Sequence, residues 1–172
     1  MSFIDILVNA GAYWYNGKPK HCGYVEHVNA KKLVEIIEKS LMEIKKIKET
    51  CLYVADLQRT RSFYEGQLGL PVIGEVKGRH IFFRAGASVL LCFLPEMSKK
   101  GGTLPPHFGS GQLHLAFEVS REDYDGWKNK IEEAGIPVEQ EYDWGRGYLS
   151  FYFRDPDQHL LEIVMEGMWE KN

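Results

Sequence analysis

"ETCLYVADLQRTRSFYEGQLGLPV", residues 49–72, decides the fold. Its opening, "ETCLYVAD", is rich in apolar and β-branched residues and reads as a strand. The continuation, "LQRTRSFYEGQLGL", reads as a helix stopped by Gly69 and Pro71. Three strands follow, "PVIGEV", "RHIFFRAG" and "SVLLCFLP", before "KKGGTLPPHFGSG" interrupts the pattern as a Gly/Pro linker. The order then starts again. "QLHLAFEVS" is a strand, "REDYDGWKNKIEEAG" a helix ended by Gly135, and "IPVEQEYDW", "GYLSFYFRD" and "HLLEIVME" three more strands. The chain therefore reads βαβββ, linker, βαβββ.

The halves superimpose as sequences. "GLPV" at 69–72 matches "GIPV" at 135–138, and Phe82, Phe83 and Arg84 match Tyr152, Phe153 and Arg154. "SVLLCF" matches "HLLEIV", which sets Glu49 on His114 and Leu91 on Glu162. Upstream, residues 1–28 read as irregular. "NAKKLVEIIEKSLMEIKKI" then puts Leu33, Ile36, Ile37, Leu41 and Ile44 on one stripe of a helix, with Asn29 as N-cap. That stripe must be covered, by the protein's own core or by a second copy. The predicted organisation is α+β: paired βαβββ modules with an N-terminal helical extension. The extension spans 1–46 and the paired domain 47–169, divided into module 1 (47–96), a linker (97–110) and module 2 (111–169).

Strand alternation sorts the side chains. Glu49, Cys51 and Tyr53 share one face, with Thr50, Leu52 and Val54 on the other. His114 and Ala116 share a face, as do Leu160, Glu162 and Val164, which leaves Leu115, Phe117, Leu161 and Ile163 for a helix-covered core. Glu162 stands out, because an ionised carboxylate within an apolar strand costs several kcal/mol unless a cation or hydrogen-bond donors meet it. Taken alone, a strand glutamate belongs on a wet face or beside an arginine, and a histidine between apolar residues in a hydrogen-bonded core.

Composition narrows the class. The 172 residues are 44% hydrophobic and 26% charged with a net charge of −3, as in a globular chain. No long basic block invites nucleic acid, and no apolar run reaches the ~18 residues of a membrane span. The opening lacks the basic start of a signal peptide. Cys22, Cys51 and Cys92 are odd in number without CxxC spacing, which points to a reducing, cytoplasmic location rather than a disulfide framework.

"ETCLYVADLQRTRSFYEGQLGL", "GQLHLAFEVS" and "GRGYLSFYFRDPDQHLLEIV" resemble the vicinal oxygen chelate superfamily, which includes glyoxalase I, the fosfomycin- and bleomycin-resistance proteins and the extradiol dioxygenases. The resemblance covers about residues 47–169. It implies modules that enclose a cavity, a divalent metal on its floor, and ligands from the first and last strands: Glu49, His114 and Glu162. Leu91 falls where glyoxalase I carries a fourth, carboxylate ligand. One imidazole with two carboxylates and open positions suits Fe, Mn, Zn or Ni. The cavity is closed within one chain or shared across a homodimer.

Further residues are candidates for substrate binding. Tyr53 and Tyr152 are cavity wall or core. His80 and His107 line the cavity, cover its mouth or lie on the surface. Arg146, in "WGRGY", suits an anionic substrate or a plain turn. Arg154, Asp155 and Asp157 build the turn before the last strand. The reading implied is a metal-dependent lyase, isomerase or dioxygenase acting on a small oxygen-chelating molecule, with Glu49 or Glu162 as general base. The alternatives are a metal-free sequestration protein of the bleomycin-resistance type and a degenerate module kept for assembly.

Overall fold

Alternation between apolar and polar residues writes strands, and here it writes two sets of them. The computed structural model describes residues 12–15, 18–21 and 44–170. The chain divides into two compact units, Met1–Lys46 and Ile47–Asn172.

In the first unit β1 (Ala12–Tyr15) pairs antiparallel with β2 (Lys18–His21), Tyr15 opposite Lys18. This corrects the irregular reading of that stretch. The sequence signal is Asn16-Gly17, which favours a two-residue hairpin after the aromatic run "AYWY". The amphipathic helix expected over 29–46 lies outside the described residues except for 44–46, which are not helical.

The second unit holds the two βαβββ modules. In module 1 the sheet runs β3 (Glu49–Tyr53), β6 (Ser88–Phe93), β5 (His80–Ala85), β4 (Val72–Val76). Module 2 repeats it as β7 (His114–Val119), β10 (Leu160–Met165), β9 (Leu149–Arg154), β8 (Gln140–Asp143). The first and last strands of each module are parallel and the other pairs antiparallel. Register supports the sequence overlay: Glu49 pairs with Val89, two residues before Leu91, and His114 pairs with Leu160, two residues before Glu162.

Each crossover is helical. In module 1, α1 (Leu57–Arg61) starts at Asp56, whose carboxylate accepts from the Arg59 amide at 2.9 Å. It does not run on as an α-helix. Ser62–Gln67 widens to a π-helix, with Leu68 N–H reaching back to Phe63 O at 3.0 Å. The consecutive Phe63 and Tyr64 are both buried in this turn. A short α2 (Pro95–Lys99), opened by proline in its first turn, occupies the stretch where the linker was expected to begin. Module 2 crosses over through α3 (Tyr124–Glu133).

One hydrophobic core serves both modules. Leu52, Tyr64, Ile81 and Phe83 from the first and Tyr124, Phe151, Phe153 and Leu161 from the second are 0–2% exposed within one cluster. Burying each such side chain contributes on the order of 1.5–3 kcal/mol. Polar stitches cross the same junction. Tyr64 Oη donates to Asp155 Oδ2 at 2.8 Å, and Lys130 Nζ donates to Leu68 O at 2.9 Å. His159 accepts the Leu113 amide on Nδ1, so its Nε2 carries the proton given to Tyr53 O at 3.0 Å. With this face of each sheet spent on the core, the opposite faces remain open.

Candidate functional site

The open faces are ordered in rows by the registers. In module 1, Glu49 lies level with Val89 and Arg84, Cys51 with Leu91 and Phe82, and Tyr53 with Phe93 and His80. In module 2, His114 lies level with Leu160 and Arg154, and Ala116 with Glu162, Tyr152 and Gln140.

His114 and Glu162 meet. His114 Nδ1 lies 3.1 Å from Leu160 O, and a carbonyl only accepts, so Nδ1 holds the ring proton. Its Nε2 then lies 3.3 Å from Glu162 Oε2. A shared proton or a metal cation between the two atoms satisfies both. Glu162 is 5% exposed, and its other oxygen, Oε1, is buried with no hydrogen-bond partner among the described residues. A buried carboxylate with one oxygen spare and the other aimed at a histidine nitrogen fits a divalent cation. His114 itself is half exposed, which leaves the pair approachable.

Tyr152 flanks the pair. Burial, and then the neighbouring Glu162 carboxylate against an opposing hydrogen bond from Ser150, keep its phenol above the usual range. Its hydroxyl accepts from Ser150 Oγ at 3.4 Å, and Ser150 accepts Trp144 Nε1–H at 2.9 Å. Strand alternation gave no hint of this Trp144–Ser150–Tyr152 chain, because it depends on β8–β9 pairing. Beside it lies a depression of about 400 Å³ walled by Tyr142, Trp144, Tyr152, Arg154 and Leu160. Arg154 is engaged there with Glu139 at 3.1 Å and Gln158 O at 3.0 Å.

Glu49 does not join His114 and Glu162 within the chain. It is exposed at the start of β3, and no three His, Cys, Asp or Glu side chains of the described residues gather closely enough to hold an ion. Tyr53, His80 and His107 instead form an aromatic group on module 1. Tyr53 Oη lies 2.9 Å from His107 Nδ1, His80 stacks on Phe82 at 4.2 Å, and Phe93 meets the edge of both imidazoles. The linker thus folds back over module 1, and Gly109 packs against the Tyr53 ring so closely that a Cβ would lie 2.5 Å from it. Arg146 stands apart from both groups, exposed on the loop between β8 and β9.

Paired βαβββ modules with a histidine and a glutamate on the same open face of neighbouring first and last strands define a class of small-molecule domains. The chain belongs to the Glyoxalase/Bleomycin resistance protein/Dioxygenase superfamily, whose model matches residues 46–163. It is 31% identical over 118 residues to glutathione transferase FosA of Serratia marcescens, covering 65% of this chain and 74% of that one. Metallothiol transferase FosB of Bacillus licheniformis is 26% identical over 121 residues, covering 69% and 73%. Among solved structures, lactoylglutathione lyase from Agrobacterium tumefaciens superimposes with a TM-score of 0.71 at 32% identity, over 76% of this chain and all of that one. No described helix is long and apolar enough to cross a membrane.

Proposed function

We propose that the protein is a divalent-metal-dependent enzyme of glyoxalase type, acting on a small molecule that offers two adjacent oxygens and joining or rearranging it with a thiol. The convergence of His114 Nε2 and Glu162 Oε2 at 3.3 Å carries this reading, supported by the unpartnered Glu162 Oε1. The thiol follows from likeness to two thiol transferases and a lactoylglutathione lyase.

His114 and Glu162 would hold the metal, with Glu49 of a second copy as third ligand. β3 and β7, which carry Glu49 and His114, are both edge strands of their sheets. An open edge is a ready template for another chain. In a two-fold dimer that lays β3 of each copy beside β7 of the other, Glu49 approaches the His114–Glu162 pair twice. When bound, the metal supplies a Lewis acid for substrate oxygens. The chain supplies the rest. The Leu160 carbonyl keeps His114 oriented, and exposed Glu49 is the freer carboxylate to take a proton as general base. Tyr152 holds its proton and donates a hydrogen bond from the wall of the depression. Tyr53, His80 and His107 form the facing aromatic wall.

Metal content and melting temperature test the reading. Added Mn(II), Zn(II) or Ni(II) should raise the melting temperature of wild-type protein, and chelator should lower it. His114→Ala should lose metal while keeping the stability of the metal-free form; stoichiometric metal in that variant would remove His114 from the ligand set. Turnover is then sought with dicarbonyl–thiol adducts, epoxides and catechols. A second reading, metal-free sequestration of an aromatic molecule, draws on the half-exposed Tyr142 and Trp144, packed edge to face at 4.6 Å in the same depression. A melting temperature indifferent to both metal and chelator would select it.

A further inference from the structure

β7 is anchored from one side. It is an edge strand, and the chain reaches it through residues 101–113, which form neither helix nor strand. The His114 main chain therefore depends on β10 for its place. A regular parallel ladder that sends Leu160 N–H to Leu113 O, here at 2.8 Å, would return Leu113 N–H to Gln158 O. That carbonyl is turned away. Gln158 is left-handed at φ 68°, and its oxygen accepts from Arg154 Nη1 at 3.0 Å. The next side chain stands in for it, as His159 Nδ1 accepts the Leu113 amide at 3.0 Å.

His159 is itself firmly held. It is 1% exposed, its amide donates to Asp155 Oδ1 at 2.8 Å, and its carbonyl accepts the Asp155 amide at 3.1 Å. Its Nε2–H donates to Tyr53 O at 3.0 Å, at the end of β3. A neutral imidazole accepts at one nitrogen and donates at the other, which a site between an amide of one module and a carbonyl of the other requires. From Leu113 the tie passes in one residue to His114, whose ring donates to Leu160 O at 3.1 Å. His159, Leu113, His114 and Leu160 thus close a circuit around the start of β7. Without the His159 acceptor the part-buried Leu113 amide loses its partner, and it regains one from water only as the strand end lifts.

We propose that His159 is a positioning residue for His114. By replacing the ladder acceptor that β10 lacks, it fixes the start of β7 and so the place of the His114 ring against Glu162. Its bearing on metal rests on the reading of that pair as a metal centre. Two variants split its hydrogen bonds. Asparagine carries an oxygen close to the place of Nδ1 and falls short of Tyr53 O, whereas glutamine reaches toward Tyr53 O and offers nothing to Leu113. Full-length wild-type, His159→Asn and His159→Gln proteins are compared metal-free by ring-nitrogen NMR on nitrogen-15 histidine, with His114 assigned by its loss in His114→Ala. Mn(II) titration follows. His159→Asn should keep the Nδ1–H form of His114 and bind Mn(II) within about threefold of wild type. His159→Gln should lose that form and raise the Mn(II) Kd at least about tenfold. Equal losses in the two variants, or a wild-type His114 signal in His159→Gln, would overturn the proposal. The wild-type protein gives a second check. Its His159 should carry Nε2–H, and its Leu113 amide should be protected from exchange at least about tenfold more than that of Gly111. A His159 protonated on Nδ1, or an unprotected Leu113, overturns the proposal whether or not the variants fold. A wild type that takes up no Mn(II), while the His114 tautomer still follows the His159 acceptor, would sink the metal centre and leave the positioning role standing.

Discussion

Glu162 concentrates the functional argument in one side chain. A carboxylate buried to 5% exposure, with one oxygen unpartnered among the described residues, is unfavourable without a cation, which weighs against a purely structural role. Glu162→Gln should therefore leave the metal-free protein as stable as wild type or more stable by about 1 kcal/mol, while metal retention falls at least about tenfold. Denaturant midpoints with and without metal check both halves. Gly109 is a second residue whose identity is forced. Gly109→Ala should cost about 1–3 kcal/mol or lift the linker from module 1, because the new methyl meets the Tyr53 ring at 2.5 Å. Tyr53 fluorescence and thermal melts report which occurs.

Between elements, the register gives Leu91 a definite meaning. It occupies in β6 the place that Glu162 occupies in β10, on the open face and half-buried, whereas Leu90 and Cys92 enter the core. Leu91→Glu should fold, and in the proposed dimer it should tighten metal retention by adding a fourth ligand; loss of folding would place Leu91 in the core instead. The turn before β10 shows how far short-range signals reach. "DPDQH" marked a turn, yet its work is between modules. Asp155 accepts from Tyr64 and from the His159 amide, and Asp157 accepts from the Ala55 amide at 3.0 Å and from Arg59 at 2.7 Å. Burial outweighs those donors and holds the Asp155 carboxyl above its ordinary range.

For the molecule as a whole, a core shared by both modules predicts one cooperative unfolding transition for residues 47–172. That core also predicts alkaline lability. Burial raises the Cys92 thiol and the Tyr64 and Tyr124 phenols above their ordinary values of 9.0, 10.0 and 10.0. The folded state thus keeps protons that the unfolded chain releases. The stabilisation is fully present below the unfolded values and is lost as pH rises past about 9. Urea midpoints should fall from pH 8 to about 10.5, less steeply in Cys92→Ala. Shared sites make a further prediction. Glu49→Ala and His114→Ala chains, each unable to bind metal alone, should regain about a quarter of the wild-type metal when refolded together in equal amounts, since about half the dimers are mixed and each mixed dimer keeps one of its two sites.

The sequence by itself determined the βαβββ repeat, the face on which each strand side chain stands, and the candidates Glu49, His114 and Glu162. Those properties are local, set by two-residue alternation, glycine and proline stops, and similarity between the halves. Tertiary structure decided what depends on strands distant in the chain. Across 46 residues it set the His114 ring against the Leu160 carbonyl, which fixed the tautomer and aimed Nε2 at Glu162. It kept Glu49 out of that pair, widened the helix after Arg61, and left Arg146 exposed on a loop of left-handed residues. No periodicity encodes these outcomes, because each follows from which surfaces the shared core consumed and which it left open.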